Sequence, residues 1–482
     1  MRKTSWSLTI SIAIFALTVG VVATYFAIEQ SQPQIQMVEV EEEDYGYDDE
    51  LEEFLEFLNH FRTAHYFYDE DNDLIRGAID GMAASTDDPW ARLLTVEEYW
   101  ALAGPLLGGF YGVGVRIIEV DGYAIIAEVL PDSPAEKNGL LPGDAIISVE
   151  GDRFDEYEFE DFIDKLLGRS GTSVTLEIQR ASDLFQLDII RGYIDYEDVT
   201  ADIFEYEDKM IGYIRISSFG MYTQSDFSDA IAELEEEGID GLVIDIRDNP
   251  GGSLATLNTM INYLLPNDRI ILTTINRDGR ENTQRTRGDD RYRLDVDIVT
   301  LINGYSASAS EIFAAAMIES GGFEVIGTTS FGKGTAQSPM HVGDHILIST
   351  LHEGLTPTGN PIEGYGVVPT IYVEASEFYD FSPIHLSRDI VFEYDMVDVR
   401  ISNAQLILEA LGYDVDRTDG YFDASTAEAM HAFQRSNELD ETGDLNPETA
   451  TALSVALFDK LHDPAYDTQL LMAFEFLTGD VK

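Results

Sequence analysis

The sequence contains no cysteine among its 482 residues. Disulfides, thiolate zinc sites, a cysteine nucleophile and a lipid-modified N-terminal cysteine are therefore excluded. Basic residues are scarce as well: 29 Lys and Arg stand against 90 Asp and Glu, which gives a formal net charge of −61. Such a surface repels nucleic acid and anionic membrane surfaces, so neither is expected as a main partner. The acidic excess is typical of a solvated surface suited to high salt, which screens the repulsion.

The chain begins with an apolar stretch. No charged residue occurs from 4 to 28, and Arg2 and Lys3 precede it. A bilayer-spanning helix needs about 20 apolar residues, and the positive flank on the N-terminal side places the rest of the chain outside the cytoplasm. A cleaved signal peptide is the alternative, but the stretch lacks a small-residue cleavage site of the A-x-A type after it. We expect residues 1–28 to be an uncleaved single-pass membrane anchor, with the rest of the chain outside the cytoplasm.

The length predicts several domains after this anchor. Residues 29–50 are acidic and are expected to form a solvated tether. Residues 51–105 begin with apolar residues at helical spacing and are predicted to be a helical segment. That segment could pack on the main body or on a second subunit, so a homodimer is possible.

Residues 106–192 contain short β-rich runs separated by glycine and proline, which predicts a small β-barrel. Within it, SPAEKNGLLPGDAIISVEGDRF resembles the central stretch of a PDZ domain, and GFYGVGV matches the loop that binds a peptide's C-terminal carboxylate. Glycines let successive N–H groups converge on an anion, and the next strand can accept the peptide by β-augmentation. The predicted substrate-binding residues are Gly109, Phe110, Tyr111, Gly112, Val113, Gly114 and Val115.

Residues 193–376 alternate strands and helices. The apolar runs LVIDI and DIVTLI are each followed by a helix, which favours an α/β layered core with crossover connections. A linker is predicted over 377–397 and a small α-helical bundle over 398–460. The bundle resembles the peptidoglycan-binding domain found at the ends of cell-wall enzymes, through its Leu-Gly-Tyr, Asp-Gly-Tyr-Phe and Phe-Gln sequences. Peptidoglycan is therefore a possible partner, although such modules also serve as structural appendages.

Three segments of the α/β region carry candidate chemistry: DIRDNPGG at 245–252, SASASE at 306–311 and FGKGTAQ at 331–337. In the second segment a serine precedes an apolar helix, and Glu311 three residues after Ser308 fits a helix-capping box. The same place suits a nucleophile, because the N–H groups and the positive dipole at a helix start favour an oxyanion.

A nucleophilic serine needs a base. The eight histidines are scattered, and His341 and His345 flank a Gly-Asp pair in what is predicted to be a hairpin. A Ser-His-Asp arrangement is therefore disfavoured. A lysine can serve if desolvation and nearby positive charge lower its pKa. Lys333 lies between two glycines with no acidic neighbour in FGKGTAQSP. Taken alone, such a lysine is usually a solvated turn residue.

The three segments, in this order after a PDZ-like insert, resemble the carboxyl-terminal processing peptidases, or tail-specific proteases, over about 51–373. The resemblance implies an α/β core of the ClpP/crotonase-like kind. It also implies that Ser308 is the nucleophile, that Lys333 is the general base, and that Gln337 orients it. The main-chain N–H groups of Ala309 and Gly252, or less favourably Gly251, would form the oxyanion hole.

The sequence thus predicts a serine endopeptidase without metal or other cofactor, which binds exposed C-termini of partly unfolded proteins and cleaves near them. Two alternatives remain open. One is a non-catalytic PDZ scaffold at the cell wall, and the other is a peptidoglycan hydrolase.

Overall fold

The computed structural model describes residues 48–69, 73–96, 98–99, 109–195, 198–287 and 294–479. The predicted anchor and most of the predicted tether lie outside these ranges. The described residues before 100, together with 337–351, form one compact unit, and the remaining described residues form a second. None of the described helices is long and apolar enough to cross a membrane.

The first unit contains two helices and a short strand where a helical segment was expected. The helical periodicity did not reveal that residues 65–69 are not helical. The second helix begins where Asp73 accepts a hydrogen bond from Arg76 N at 2.9 Å. The strand pairs antiparallel with residues 345–348. These elements are α1 (Asp48–Ala64), α2 (Leu74–Ala84) and β1 (Arg92–Thr95).

The β-rich region is a five-stranded antiparallel sheet, with a short sixth strand paired to β5, around an apolar core. Strand β3 lies at one end of the order β3-β4-β5-β7-β8. The segment 109–112, which was predicted to be part of a loop, is a strand paired with β9, so only Val113 and Gly114 connect β2 to β3. The elements are β2 (Gly109–Gly112), β3 (Val115–Val120), β4 (Tyr123–Val129), α3 (Pro134–Lys137), β5 (Ala145–Val149), β6 (Asp152–Arg153), α4 (Phe159–Asp164), β7 (Ser173–Arg180), β8 (Asp183–Ile190) and β9 (Gly192–Asp195).

The α/β core is a six-stranded sheet in the order β10-β11-β12-β15-β16-β19. Strands β11, β12, β15, β16 and β19 run parallel to one another, which confirms the predicted crossover connections, and β10 pairs antiparallel with β11 at the edge. A second sheet carries β13, β14 and residues 352–355. The elements are β10 (Val199–Tyr206), β11 (Lys209–Ile216), α5 (Thr223–Glu237), β12 (Gly241–Asp245), α6 (Leu254–Met260), β13 (Ile270–Asn276), β14 (Glu281–Arg285), β15 (Asp297–Ile302), α7 (Ala309–Ala316), β16 (Glu324–Gly327), β17 (Thr335–Val342), β18 (His345–Leu355) and β19 (Ile371–Tyr372).

Alternate side chains of β12 enter two different cores. Leu242 and Ile244 pack with α5, α6 and α7 on one face of the sheet. Val243 points to the other face, as strand geometry requires, and packs there against the last described helix, Thr468–Thr478. No element was predicted after residue 460, so this covering helix was missed.

Three helices form the unit that resembles a peptidoglycan-binding domain, here called the helical module. Four side chains from the predicted linker pack into its core: Phe378, Ile384, Leu386 and Phe392. The module also contacts the PDZ-like sheet, since Gln179 Nε2 donates to Leu386 O at 2.7 Å. The remaining helices are α8 (Val399–Ala410), α9 (Ala424–Ser436), α10 (Pro447–His462) and α11 (Thr468–Thr478).

Candidate active site

Ser308 lies between the end of β15 and the start of α7. Its backbone has φ 57° and ψ −114°, and positive φ is uncommon for any residue other than glycine. Such conformations persist only where the surroundings enforce them, and they concentrate at functional sites. The side chain is half-buried, whereas the next residue, Ala309, is fully buried.

The structure separates Ser308 from the two serines beside it. Ser306 Oγ donates to Ile246 O at 2.8 Å, and Ser310 Oγ donates to Asn249 O at 2.9 Å. Both side chains are fully buried. These two hydroxyls therefore fasten the serine segment to the DIRDNPGG segment, a distinction that the sequence alone did not make.

The glycine turn after β12 lies directly against Ser308. Gly251 has φ 105°, and a Cβ at this position would lie 2.8 Å from Ser308 Cβ and 2.9 Å from Ala309 N. Real Cβ contacts are essentially never this short, so only glycine fits. Asn249, fully buried, holds the turn: its Oδ1 accepts from Gly251 N at 2.8 Å and its main-chain O accepts from Ala307 N at 3.0 Å.

The hydrogen bonds of this turn differ between its two glycines. The N–H of Gly251 is engaged by Asn249. Phe219 N donates to Gly251 O at 2.9 Å, and Ser253 N donates to Phe219 O at 2.8 Å. These two hydrogen bonds with Phe219 use neither the N–H nor the carbonyl of Gly252. Gly251 is therefore the less suitable of the two as a donor to a ligand, and the assignment of the oxyanion donor to Gly252 stays a prediction.

Glu311 joins the serine segment to the lysine segment. Its carboxylate is fully buried. Oε2 accepts from Ser308 N and from Lys333 N, both at 2.8 Å. Oε1 accepts from Gly332 N at 2.7 Å and from Ser330 Oγ at 2.6 Å. The predicted capping contact is thus present, but the same carboxylate also fixes the turn that carries Lys333.

The lysine turn is held from its other side by the 355–370 segment. Gly364 N donates to Gly332 O at 2.9 Å, and Gly334 N donates to Glu363 Oε2 at 2.8 Å. A Cβ on Gly334 would lie 2.3 Å from Glu363 N, so the backbones touch. Lys333 itself is half-buried.

Gln337 is described within the first unit. It lies on β17, and its Nε2 donates to Thr350 Oγ1 on β18 at 3.1 Å. The structure therefore brings together the backbones of Ser308, Ala309, Gly251 and Lys333, all in the second unit. Gln337 belongs to the first unit.

Arg247 and Asp245 form an ion pair at the entry to the glycine turn, with Nη2 and Oδ2 2.6 Å apart. Burial by itself would raise the pKa of Asp245, but the adjacent Arg247 guanidinium outweighs burial and holds this pKa below its ordinary value. The guanidinium also contacts Asp467, outside every predicted domain. No pattern in the sequence indicated that contact. In the described ranges, no cluster of three or more His, Asp or Glu side chains is arranged to hold a metal ion.

The edge strand of the PDZ-like sheet and the helix α4 both carry half-buried apolar side chains. Val115 and Ile117 of β3, and Phe159 and Ile163 of α4, are half-buried and pack against one core. A Cβ on Gly114, just before β3, would lie 2.3 Å from Ser133 Cβ, so the turn passes against the start of α3. An extended peptide that paired with β3 would direct alternate side chains to opposite faces of the sheet.

Comparison with known proteins assigns this architecture. Peptidase family S41 matches residues 210–373, a PDZ domain matches 125–180, and a peptidoglycan binding domain matches 398–453. The chain is 35% identical over 407 residues to the carboxy-terminal processing protease CtpB of Bacillus subtilis (strain 168), covering 84% of each chain. It is 32% identical over 422 residues to CtpA of the same organism, covering 87% of this chain and 88% of the relative.

The matched domains are those of a serine protease with a PDZ domain and a peptidoglycan-binding domain. The chain belongs to peptidase family S41, the family of the carboxy-terminal processing proteases. The predicted family and enzyme class are thereby confirmed.

Proposed function

We propose that this protease captures the C-terminus of a partly unfolded protein in its PDZ domain and cleaves the chain near that end with a Ser308–Lys333 dyad. Ser308 Oγ is the nucleophile and Lys333 Nζ is the general base. Gln337 orients the base. The N–H groups of Ala309 and Gly252 stabilise the oxyanion.

The chemistry follows from these roles. The neutral amine of Lys333 takes the proton of Ser308 Oγ, while Oγ bonds to the scissile carbonyl carbon. Negative charge develops on the carbonyl oxygen, where main-chain N–H donors are most effective. The C–N bond then breaks, and the leaving nitrogen takes the proton from Lys333. Water hydrolyses the acyl-enzyme by the same route and returns the proton to Ser308.

One observation carries the proposal: the Glu311 carboxylate accepts main-chain hydrogen bonds from both Ser308 and Lys333. A nucleophile and its base must keep a fixed mutual geometry, and prepaid orientation of this kind lowers the barrier. The glycine turn at Gly251 lies against the same serine, which supports an oxyanion hole beside it.

The PDZ domain supports the substrate class. Its edge strand β3 follows the short connection formed by Val113 and Gly114, the arrangement that a peptide joining the sheet would need. We further propose that residues 1–28 anchor the protease in the cell membrane, that the catalytic part acts on the cell-wall side, and that the helical module binds peptidoglycan. The N-terminal helical segment would then be available for a homodimer.

Cleavage of unfolded casein by the full-length chain tests the activity. Wild type should cleave, and Ser308→Ala and Lys333→Met should each be inactive. Ser225→Ala and Lys137→Met change exposed residues of the same types and should cleave like wild type. Equal cleavage by Ser308→Ala, or none by wild type, would contradict the dyad. Release of muropeptides from purified wall that survives Ser308→Ala would indicate a peptidoglycan hydrolase instead.

A further inference from the structure

The last described helix, α11, belongs to the protease core although it follows the helical module. Leu470, Ala473, Phe474 and Leu477 form a single buried cluster with side chains of four strands of the catalytic sheet. The helical module is therefore inserted between the last strand of that sheet, β19, and the helix that covers it. Residues 454–479 also lie beyond the part of the chain that the family matches cover.

The N-terminus of α11 is joined to the catalytic loop by an ion pair. Asp467 caps the helix, since its Oδ1 accepts from Gln469 N at 3.1 Å and from Leu470 N at 3.0 Å. The same carboxylate accepts two hydrogen bonds from Arg247, to Oδ1 from Nη1 at 2.9 Å and to Oδ2 from Nη2 at 2.7 Å. This bidentate geometry is the strong form of an arginine–carboxylate contact.

Arg247 thereby holds two carboxylates at once. Its other partner, Asp245, is fully buried and also accepts a hydrogen bond from Tyr213 Oη at 2.8 Å. Gln469 adds a third contact: its Oε1 accepts from Arg247 Nη1 at 3.0 Å, while its Nε2 donates to Val373 O at 2.8 Å. The guanidinium is thus fixed from the end of β12 on one side and from the start of α11 on the other.

This fixed arginine stands four positions before Gly251, the residue that contacts Ser308. The turn between them is stiff, because buried Asn249 ties it to Ile216 O, to Gly251 N and to Ala307 N. A shift of Arg247 is consequently passed to the glycines beside the nucleophile. Errors of about 1 Å in catalytic geometry cost roughly 100-fold in rate.

We propose that Asp467 is a positioning residue for catalysis, which holds the oxyanion-hole loop in place through Arg247. The inference rests on the proposed function, because it concerns the geometry around Ser308. It makes α11 a part of the active-site framework, so that both ends of the helical module are tied to the catalytic sheet.

The test uses the full-length chain and casein, with wild type and Ser308→Ala scored first. Asp467→Asn keeps a good helix cap but removes the charge that pairs with Arg247. We expect kcat to fall about 10- to 100-fold while KM stays within about twofold. Asp463→Asn removes the same charge four residues earlier, where Asp463 caps only a short turn, and should retain wild-type kcat.

A second control separates positioning from stability. Leu477→Ala removes a buried side chain from the far end of α11 without touching Arg247, so it should lower the thermal unfolding midpoint at least as much as Asp467→Asn does. Its kcat, measured well below that midpoint, should stay at the wild-type value. Should Asp467→Asn fail to fold, Arg247→Lys takes its place, since lysine keeps the charge but cannot form both bidentate contacts.

Two results overturn the inference while leaving the dyad intact: wild-type kcat in Asp467→Asn, or equal losses of kcat in Asp467→Asn and Leu477→Ala that track their unfolding. An inactive wild type, in contrast, refutes the proposed function, and the positioning role falls with it.

Discussion

The main-chain N–H groups of Ser308 and Lys333, 25 residues apart in sequence, donate to one and the same oxygen, Oε2 of Glu311, at 2.8 Å each. A buried carboxylate with two donors on each oxygen is fully used, and it acts as a junction between the two catalytic segments. The relative position of the proposed nucleophile, Ser308, and the proposed base, Lys333, is therefore set by main-chain contacts to Glu311.

The first prediction concerns this junction. Glu311→Gln keeps the shape but replaces one acceptor oxygen by an NH₂ group, which faces two existing donors. We expect a loss of stability of at least about 2 kcal/mol, because buried donors lose their acceptor. We expect a loss of casein cleavage of at least about 10-fold even where the protein is folded. Urea unfolding and steady-state rates measure the two effects.

Glu235→Gln is the matched control for that variant. Glu235 is exposed on α5 and belongs to none of the three catalytic segments, so its substitution should change neither quantity. Wild-type activity in folded Glu311→Gln would show that the junction has no part in catalysis.

The second prediction concerns the glycine turn. Gly251→Ala would force a methyl group within 2.7 Å of Ala307 O and 2.8 Å of Ser308 Cβ, at a φ of 105° that alanine rarely adopts. The turn must move away from the nucleophile, so kcat should fall by about 100-fold or more. Gly304→Ala, where the nearest atom lies 3.9 Å away, should retain activity. Similar kcat values in the two variants would contradict a close oxyanion loop.

The third prediction concerns the carboxylate of the substrate. The full-length Ser308→Ala chain should bind a fluorescent peptide with an apolar C-terminal residue, because the edge strand β3 carries the half-buried apolar side chains of Val115 and Ile117. Amidation of that peptide removes charge-assisted hydrogen bonds and should weaken binding about 10-fold or more. Fluorescence anisotropy measures both dissociation constants, and equal values would refute carboxylate capture by the PDZ domain.

The fourth prediction concerns acid stability. His385 is buried, its Nε2 has no hydrogen-bond partner in the described part of the chain, and its ring lies 4.3 Å from that of Tyr123 in the PDZ domain. Burial lowers its pKa from 6.5 to about 4. The unfolded chain binds a proton below pH 6.5 while the folded chain does not, so stability falls as pH drops from 6.5 to about 4.

The full loss at that position would amount to about 3 kcal/mol. His385→Gln should therefore flatten the decline of unfolding free energy between pH 6.5 and pH 4, even if its stability at pH 7 is lower. His431 is only half-buried, and His431→Gln is therefore the control substitution. An unchanged slope in His385→Gln would show that other groups govern the acid limb.

Contiguous motifs were sufficient to predict which three segments meet at the candidate site. SASASE, FGKGTAQ and DIRDNPGG each follow or precede apolar strands, and parallel strands bring their ends to one edge of a sheet. The parallel order of β11, β12, β15 and β16 and the PDZ assignment followed from the same kind of local pattern.

Contacts between distant residues were not predictable in this way. Glu311 was expected only as a helix cap, because its contacts to Ser330 and Gly332 depend on the folded turn. The Arg247–Asp467 pair joins positions 220 residues apart. From sequence alone, an aspartate before a helix predicts only a helix cap. The sequence predicts a loop over 109–112 instead of a strand, because the pairing partner, β9, is distant in sequence.

The position of α11 has a consequence for how the protease is made. Ribosomes synthesise this helix after every other described element, so the apolar side chains of Ile211, Val243 and Leu301 that it covers remain in contact with water until synthesis reaches it. An incomplete chain then exposes apolar surface of the catalytic sheet and lacks the Arg247–Asp467 contact. A chain stopped at residue 463, after the end of α10, should bind a hydrophobic dye and fail to cleave casein, whereas dye binding and cleavage like those of wild type would show that α11 is dispensable. Only chains that have been translated through α11 would then be proteolytically active.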